Sequence, residues 1–87
     1  MPTSFSIINS PLLSYKYIKA KNNSNKYLLI LHGLLGCADN WLPQGKIFSE
    51  YFNVLIPDLR NHGNSFHNDF MSYEDMANDI LQLHNYL

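Results

Sequence analysis

Tyr27-Leu28-Leu29-Ile30-Leu31 is an unbroken apolar run that stops at His32-Gly33 and passes into Leu34-Leu35-Gly36. Short, without helical spacing and ended by glycine, the run predicts a strand buried on both faces, the kind found in parallel α/β sheets. In open sheets of that kind the chemistry gathers beyond the carboxyl ends of the strands. The segment from His32 to Gly36 is therefore the first place to look for function.

Eighty-seven residues allow one small domain at most, and a parallel sheet covered by helices on both faces usually takes more chain than that. The sheet is therefore expected to be incomplete. A hydrophobic content of 46% suits a globular chain, and a formal charge of -1 gives no electrostatic basis for binding nucleic acid or an anionic membrane. Cys37 is the single cysteine, which excludes an internal disulfide and with it a disulfide-stapled secreted domain. No basic leader with an apolar core is present, and no segment reaches the roughly 20 apolar residues of a membrane span. The expectation is a soluble, cytoplasmic protein with no membrane association. The many asparagines are taken as compositional bias.

In chain order, Ser4 to Ile8 and Leu13 to Lys19 read as the arms of an antiparallel hairpin around the turn cluster Asn9-Ser10-Pro11. Tyr15 and Tyr17 would share one face and Lys16 the other. Ala20 to Lys26 reads as a polar loop, so residues 1–26 form an N-terminal hairpin and loop. After the glycine loop, Asp39 is the expected N-cap of a helix from Trp41 to Tyr51, with Pro43 in its first turn and a stripe of Ile47, Phe48, Tyr51 and Phe52. Gly45 should cost that helix about 1 kcal/mol. Asn53 to Pro57 predicts a second strand and Asp58 to Phe70 a polar loop. Ser72 with Asp75 then opens an amphipathic helix carrying Tyr73, Met76, Ala77, Ile80, Leu83 or His84, and Leu87. Residues 27–87 thus form a β-α-β-α core, with the two strands parallel through a right-handed crossover.

Leu31-His32-Gly33-Leu34-Leu35-Gly36, Asp39-Asn40-Trp41, Pro57-Asp58-Leu59-Arg60-Asn61-His62-Gly63-Asn64-Ser65 and Met71-Ser72-Tyr73 occur in this order. Together they resemble the N-terminal portion of an α/β-hydrolase-fold esterase of the small-ester and acyl-thioester branch. The likeness spans roughly residues 27 to 87, and it implies an α/β fold made of the hairpin followed by β-α-β-α, with the sheet unfinished.

Acyl transfer in that fold needs backbone N–H donors aimed at the developing oxyanion, one from the loop after an early strand and one from the residue after the nucleophile. The resemblance implies that Leu34 supplies the first. Gly33 and Gly36 would let backbone approach a substrate, with Leu35 part of the same loop. His32 would support the loop rather than act as general base. Asp58, Arg60, His62, Gly63 and Ser65 would form a second loop that bonds to itself and braces the first.

Ser65 lacks the following glycine and the strand-to-helix turn of a nucleophile elbow. Cys37 has no base placed for it by motif. His62 and His67 do not match a zinc spacing, so no metal site is expected, and no cofactor either. In the family the nucleophile, acid and histidine follow in that order after the second helix, which places all three beyond Leu87. The family's sheet order would also leave the Leu28–Leu31 strand as an open edge beside the absent nucleophile strand.

Three readings follow. The chain is the N-terminal segment of a serine hydrolase acting on carboxylic esters or acyl thioesters, one half of a split hydrolase completed by a C-terminal hydrolase chain, or a non-catalytic remnant or binding module. The acyl pocket, and with it the substrate, is not legible in these residues.

Overall fold

A computed structural model describes residues 12–87. Its regular elements are β1 (Tyr15–Ile18), β2 (Tyr27–Leu29), a 3₁₀ helix (Ala38–Trp41), α1 (Leu42–Phe48), β3 (Asn53–Pro57) and α2 (Tyr73–Tyr86). The expected first arm of the hairpin, Ser4 to Ile8, lies outside the described residues. The second arm is β1.

The sheet has the order β1-β3-β2. β1 runs antiparallel to β3, with Tyr15 opposite Pro57 and Ile18 opposite Val54. β2 runs parallel to β3, with Leu28 opposite Val54 and Leu29 opposite Leu55, and the pairing carries one residue further through Ile30 N–H to the Leu55 carbonyl at 2.9 Å. The parallel pairing agrees with the sequence reading. So does the two-faced character of β1: Tyr15 and Tyr17 lie over the α2 side, while Lys16 reaches Asp39 at 3.8 Å beside the 3₁₀ helix.

The strand buried on both faces is β3, not β2. All five residues of β3 are buried, whereas Tyr27 is 66% exposed, Leu29 44% and Leu31 49%. The reason is position in the sheet. β3 has a strand on each side and apolar groups above and below, while β2 has a neighbour on one side only among the described residues. On one face Val54 and Ile56 pack with Ala38, Ile18, Ile30, Leu42 and Phe52. On the other, Leu55 packs with Leu13, Leu83, Tyr15, Phe66 and Ile80. Each fully buried aliphatic side chain contributes roughly 1.5–3 kcal/mol, so β3 is the best-anchored element of the chain.

The first helix differs from expectation in its start, its length and its buried face. Asp39 is not its N-cap. The chain first makes the 3₁₀ turn, in which the Asn40 side chain accepts Cys37 N–H at 2.9 Å, and α1 then runs for seven residues. Ile47, Phe48 and Tyr51 point to solvent. The contact with the sheet is made instead by Gly45, where a Cβ would stand 3.0 Å from Ile56 Cδ1 and 3.2 Å from Ile18 Cδ1. The glycine that weakens the helix is what lets it lie against the sheet.

The second helix starts as expected. Ser72 Oγ accepts Asp75 N–H at 3.0 Å and the Asp75 carboxylate accepts Ser72 N–H at 3.1 Å, the reciprocal capping arrangement. Its inward stripe is narrower than the periodicity predicts. Tyr73 and Ala77 are exposed, and the positions facing the core are Asp79 and Leu83, flanked by Met76 and Ile80.

Candidate active site

β2 and β3 run parallel, so their carboxyl ends lie at the same edge of the sheet, and the segments that leave them meet there. Gly33 to Gly36 is a tight turn closed by Gly36 N–H to the Gly33 carbonyl at 3.0 Å. Leu35 sits at φ 65 while Leu34 does not have positive φ, the signature of a type II turn with Leu34 and Leu35 at its two central positions. A leucine in the left-handed region is strained. Both leucines project outward, Leu34 75% and Leu35 91% exposed, and a Cβ at Gly33 would meet open space.

Three side chains brace this turn. At its entry, His32 is buried, with Nδ1 2.7 Å from the Gly33 carbonyl and Nε2 accepting Leu59 N–H at 3.0 Å. At its apex, His62 Nε2 accepts Leu35 N–H at 2.9 Å, and His62 Nδ1 lies 2.8 Å from the Arg60 carbonyl. A ring nitrogen that accepts from an amide carries no proton, so in each imidazole the proton sits on Nδ1 and is donated to a carbonyl. At its exit, Asp58 Oδ1 accepts Ala38 N–H at 2.6 Å and Oδ2 accepts Asn64 N–H at 3.1 Å.

The loop after β3 is held by its own bonds. Asn61 N–H donates to the Phe66 carbonyl at 2.8 Å, His62 N–H to Leu59 and Ser65 N–H to His62, both at 3.0 Å. Asn61 and Gly63 adopt φ 65 and 50. At Gly63 any Cβ would collide with the Asp58 carboxylate, so glycine is required there on two counts. Ser65 is buried, donates its hydroxyl to the Asp58 carbonyl and accepts Ser14 N–H at 2.9 Å. It is a staple between this loop and the start of β1, its hydroxyl held by two backbone groups.

Arg60 points the other way, into the molecule. Its guanidinium donates from Nε to Asp79 Oδ2 at 2.6 Å, from Nη2 to Asp79 Oδ1 at 2.8 Å and from Nη1 to the Phe70 carbonyl at 2.8 Å. It lies 5.3 Å over the Phe66 ring. The hydrogen bonds to Asp79 raise the Arg60 pKa above its already high ordinary value, so the guanidinium is charged at every working pH. This fork ties α2 to the loop that braces the turn.

Sequence reasoning grouped the Asp58 to Ser65 residues but missed Asp79. Its signal is an acid inside the apolar stripe of the last helix, between Met76, Ile80 and Leu83. Ser14, Ala38 and Asn64 were also missed, because each contributes only a backbone N–H or carbonyl, which no side-chain pattern announces. A groove of 740 Å³ lies under the C-terminal half of α2, lined by Tyr17, Tyr27, Leu29, Leu83 and Leu87 among others. No residue of the Gly33–Gly36 turn lines it. Among the described residues no cluster of three or more His, Cys, Asp or Glu could hold a metal ion, and no helix is long and apolar enough to cross a membrane.

A family model described as alpha/beta hydrolase fold matches residues 26–87. The chain belongs to the alpha/beta hydrolase fold family. Among its relatives is a Haemophilus influenzae protein named "Putative esterase/lipase", 42% identical over 76 residues, which cover 86% of this chain and 26% of the relative. Another is the 2-succinyl-6-hydroxy-2,4-cyclohexadiene-1-carboxylate synthase of Yersinia enterocolitica, 38% identical over 63 residues, covering 72% of this chain and 23% of that enzyme. A solved structure of a marine microorganism esterase superposes with a TM-score of 0.81 at 42% identity, over 88% of this chain and 28% of that one. The chain thus spans about a quarter of the length of these relatives.

Proposed function

We propose that these residues form the oxyanion-loop portion of a serine hydrolase acting on carboxylic esters or acyl thioesters, with Leu34 N–H as one donor to the developing oxyanion. The observation that carries this reading is that the two central amides of the turn are used differently. Leu35 N–H is taken by His62, whereas Leu34 N–H has no partner among the described residues and sits at an exposed apex. A fixed donor left without a partner in the fold costs no reorganisation when charge develops on a substrate oxygen. The names of a relative and of a solved structure, both esterases, support the ester class.

His32 and His62 spend both ring nitrogens on backbone groups, and the Ser65 hydroxyl is held by backbone on both sides. No nucleophile is assigned within residues 12–87. The nucleophile, acid and general base are therefore proposed to come from polypeptide outside these residues, either further along the same chain or in a companion hydrolase chain. The exposed edge of β2 and the adjoining apolar groove are the surface on which that polypeptide would seat. A bare parallel strand edge carrying Tyr27, Leu29 and Leu31 otherwise invites non-specific pairing.

Two measurements test the reading. The intact mass of the native gene product, with any tightly bound partner, distinguishes the alternatives. A mass near that of the relatives, or a co-purifying chain with Gly-x-Ser-x-Gly, supports a working hydrolase. A solitary chain of 10.1 kDa favours a non-catalytic remnant or binding module. On its own the 87-residue chain is expected to show no turnover of an activated short-chain ester above buffer. In the completed enzyme, Leu34→Pro removes the proposed donor at a turn position that suits proline. It should lower kcat by about 10²–10³-fold, and an unchanged kcat would refute the assignment of Leu34.

A further inference from the structure

An oxyanion could in principle take either central amide of the Gly33–Gly36 turn, or both together, since successive backbone N–H groups make an anion-binding concavity. The structure separates them. We propose that His62 is the positioning residue of the turn: held with its proton on Nδ1, it takes Leu35 N–H at Nε2, keeps Leu35 in the left-handed region and leaves Leu34 N–H as the free one of the two central amides. This inference rests on the oxyanion reading for its catalytic meaning, but its geometry stands without it.

The turn's own ring closure, Gly36 N–H to the Gly33 carbonyl, is compatible with other conformations of the two central residues, because a type I turn closes with the same bond. Leucine at φ 65 would relax toward negative φ if nothing held its amide. What holds it is an acceptor that cannot turn away. His62 is 7% exposed and its Nδ1–H is committed to the Arg60 carbonyl at 2.8 Å. Its ring rests against that of His32, with centroids 4.9 Å apart and planes tilted by 53°. An imidazole fixed at one nitrogen and packed on a second ring presents its other lone pair in one direction only.

The test needs no catalysis. In the uniformly ¹⁵N-labelled 87-residue chain, His62 Nδ1 should resonate as a protonated and Nε2 as an unprotonated imidazole nitrogen, with a scalar coupling across the bond between Leu35 N and His62 Nε2. The Leu35 amide should exchange with solvent at least ten-fold more slowly than that of Leu34. In His62→Phe, Leu35 exchange should rise to the Leu34 rate at neutral pH. A proton on Nε2, or equal exchange of Leu34 and Leu35 in the unaltered chain at neutral pH, would overturn the proposal, and either result is read without the variant. Loss of the oxyanion reading would show instead as an unchanged kcat in Leu34→Pro of the completed enzyme, so the two failures are distinct.

Discussion

Asp79→Ala should be the most damaging single truncation on α2. It removes both acceptors of the fork that Arg60 makes at 2.6 and 2.8 Å, and it leaves behind a guanidinium that is 4% exposed. The remaining partners are the Phe70 carbonyl at 2.8 Å and the carboxylate of Asp75, 4.0 Å away and 34% exposed. Neither replaces a bidentate carboxylate. Two bonds to a charged group, at roughly 1.5–3 kcal/mol each, set an upper range. Breaking a buried ion pair from one side typically costs about 3–5 kcal/mol because the surviving charge stays desolvated, and that is the figure expected here. A chain of 87 residues has a total stability of only about 4–13 kcal/mol at 0.05–0.15 kcal/mol per residue, so the variant should sit between marginal and unfolded.

The informative comparison is with the paired replacement Arg60→Met with Asp79→Leu. Removing both charges removes the desolvation problem, and buried pairs replaced by apolar groups of similar volume are often neutral or better. The cost left over is the unpaired Phe70 carbonyl, about 1 kcal/mol. Urea unfolding followed by far-UV circular dichroism and by Trp41 fluorescence gives both values. The reasoning predicts that the double variant recovers most of what the single one loses. It fails if Asp79→Ala loses less than about 1 kcal/mol, or if the double variant is as unstable as the single.

Other outcomes follow from individual contacts. Gly63→Ala combines a left-handed φ of 50 with a Cβ driven into the Asp58 carboxylate, so it should destabilise by more than about 3 kcal/mol and release the Ala38 amide in hydrogen exchange. Gly45→Ala gains up to about 1 kcal/mol of helix propensity, yet its Cβ at 3.0 Å from Ile56 Cδ1 should reverse the sign and leave a net loss of roughly 1 kcal/mol, measured by thermal melting. The Asp75 carboxyl is held below the usual carboxylate range, first by Ser72 N–H and then by the Ser72 hydroxyl. Its stabilising effect is therefore present above the unfolded carboxylate value of about 3.9 and is lost as pH falls through the lower folded value. The Ser72 and Asp75 amides should lose protection in that acidic window, and Asp75→Asn should remove the dependence.

Much of this was legible in the sequence where local chemistry decides. β3 has the bounds that Asn53 and Pro57 suggest, and α2 begins at the cap that Ser72 and Asp75 announce. The misreadings share a cause, which is that an apolar run reports affinity for a core without saying which element supplies it. Tyr27–Leu31 is more uniformly apolar than Asn53–Pro57, but β3 takes the centre because, among the described residues, it alone has strands on both sides. Ile47, Phe48 and Tyr51 form a plausible stripe, but the close approach of α1 to the sheet is set by the absent side chain of Gly45. Asp79 was hidden by the same habit of reading stripes as purely apolar. The residues that brace the turn were grouped by resemblance alone, because no spacing rule reveals that Asp58 will meet Ala38, 20 positions away in the chain.

The division between a buried β3 and an exposed β2 bears on how the turn keeps its shape. The turn follows β2 in sequence, and if β2 fixed it, a strand with one bare edge would be a poor foundation. Instead, among the described residues, every long-range hydrogen bond to residues 32–38 comes from the chain after β3: Leu59 N–H to His32, His62 to Leu35 N–H, and Asp58 to Ala38 N–H. That loop is in turn fastened to β1 through Ser14 and to α2 through Asp79. The shape of the turn is therefore inherited from the best-packed strand of the molecule and not from the strand that carries the turn, and it is held while β2 is paired on one side only among the described residues.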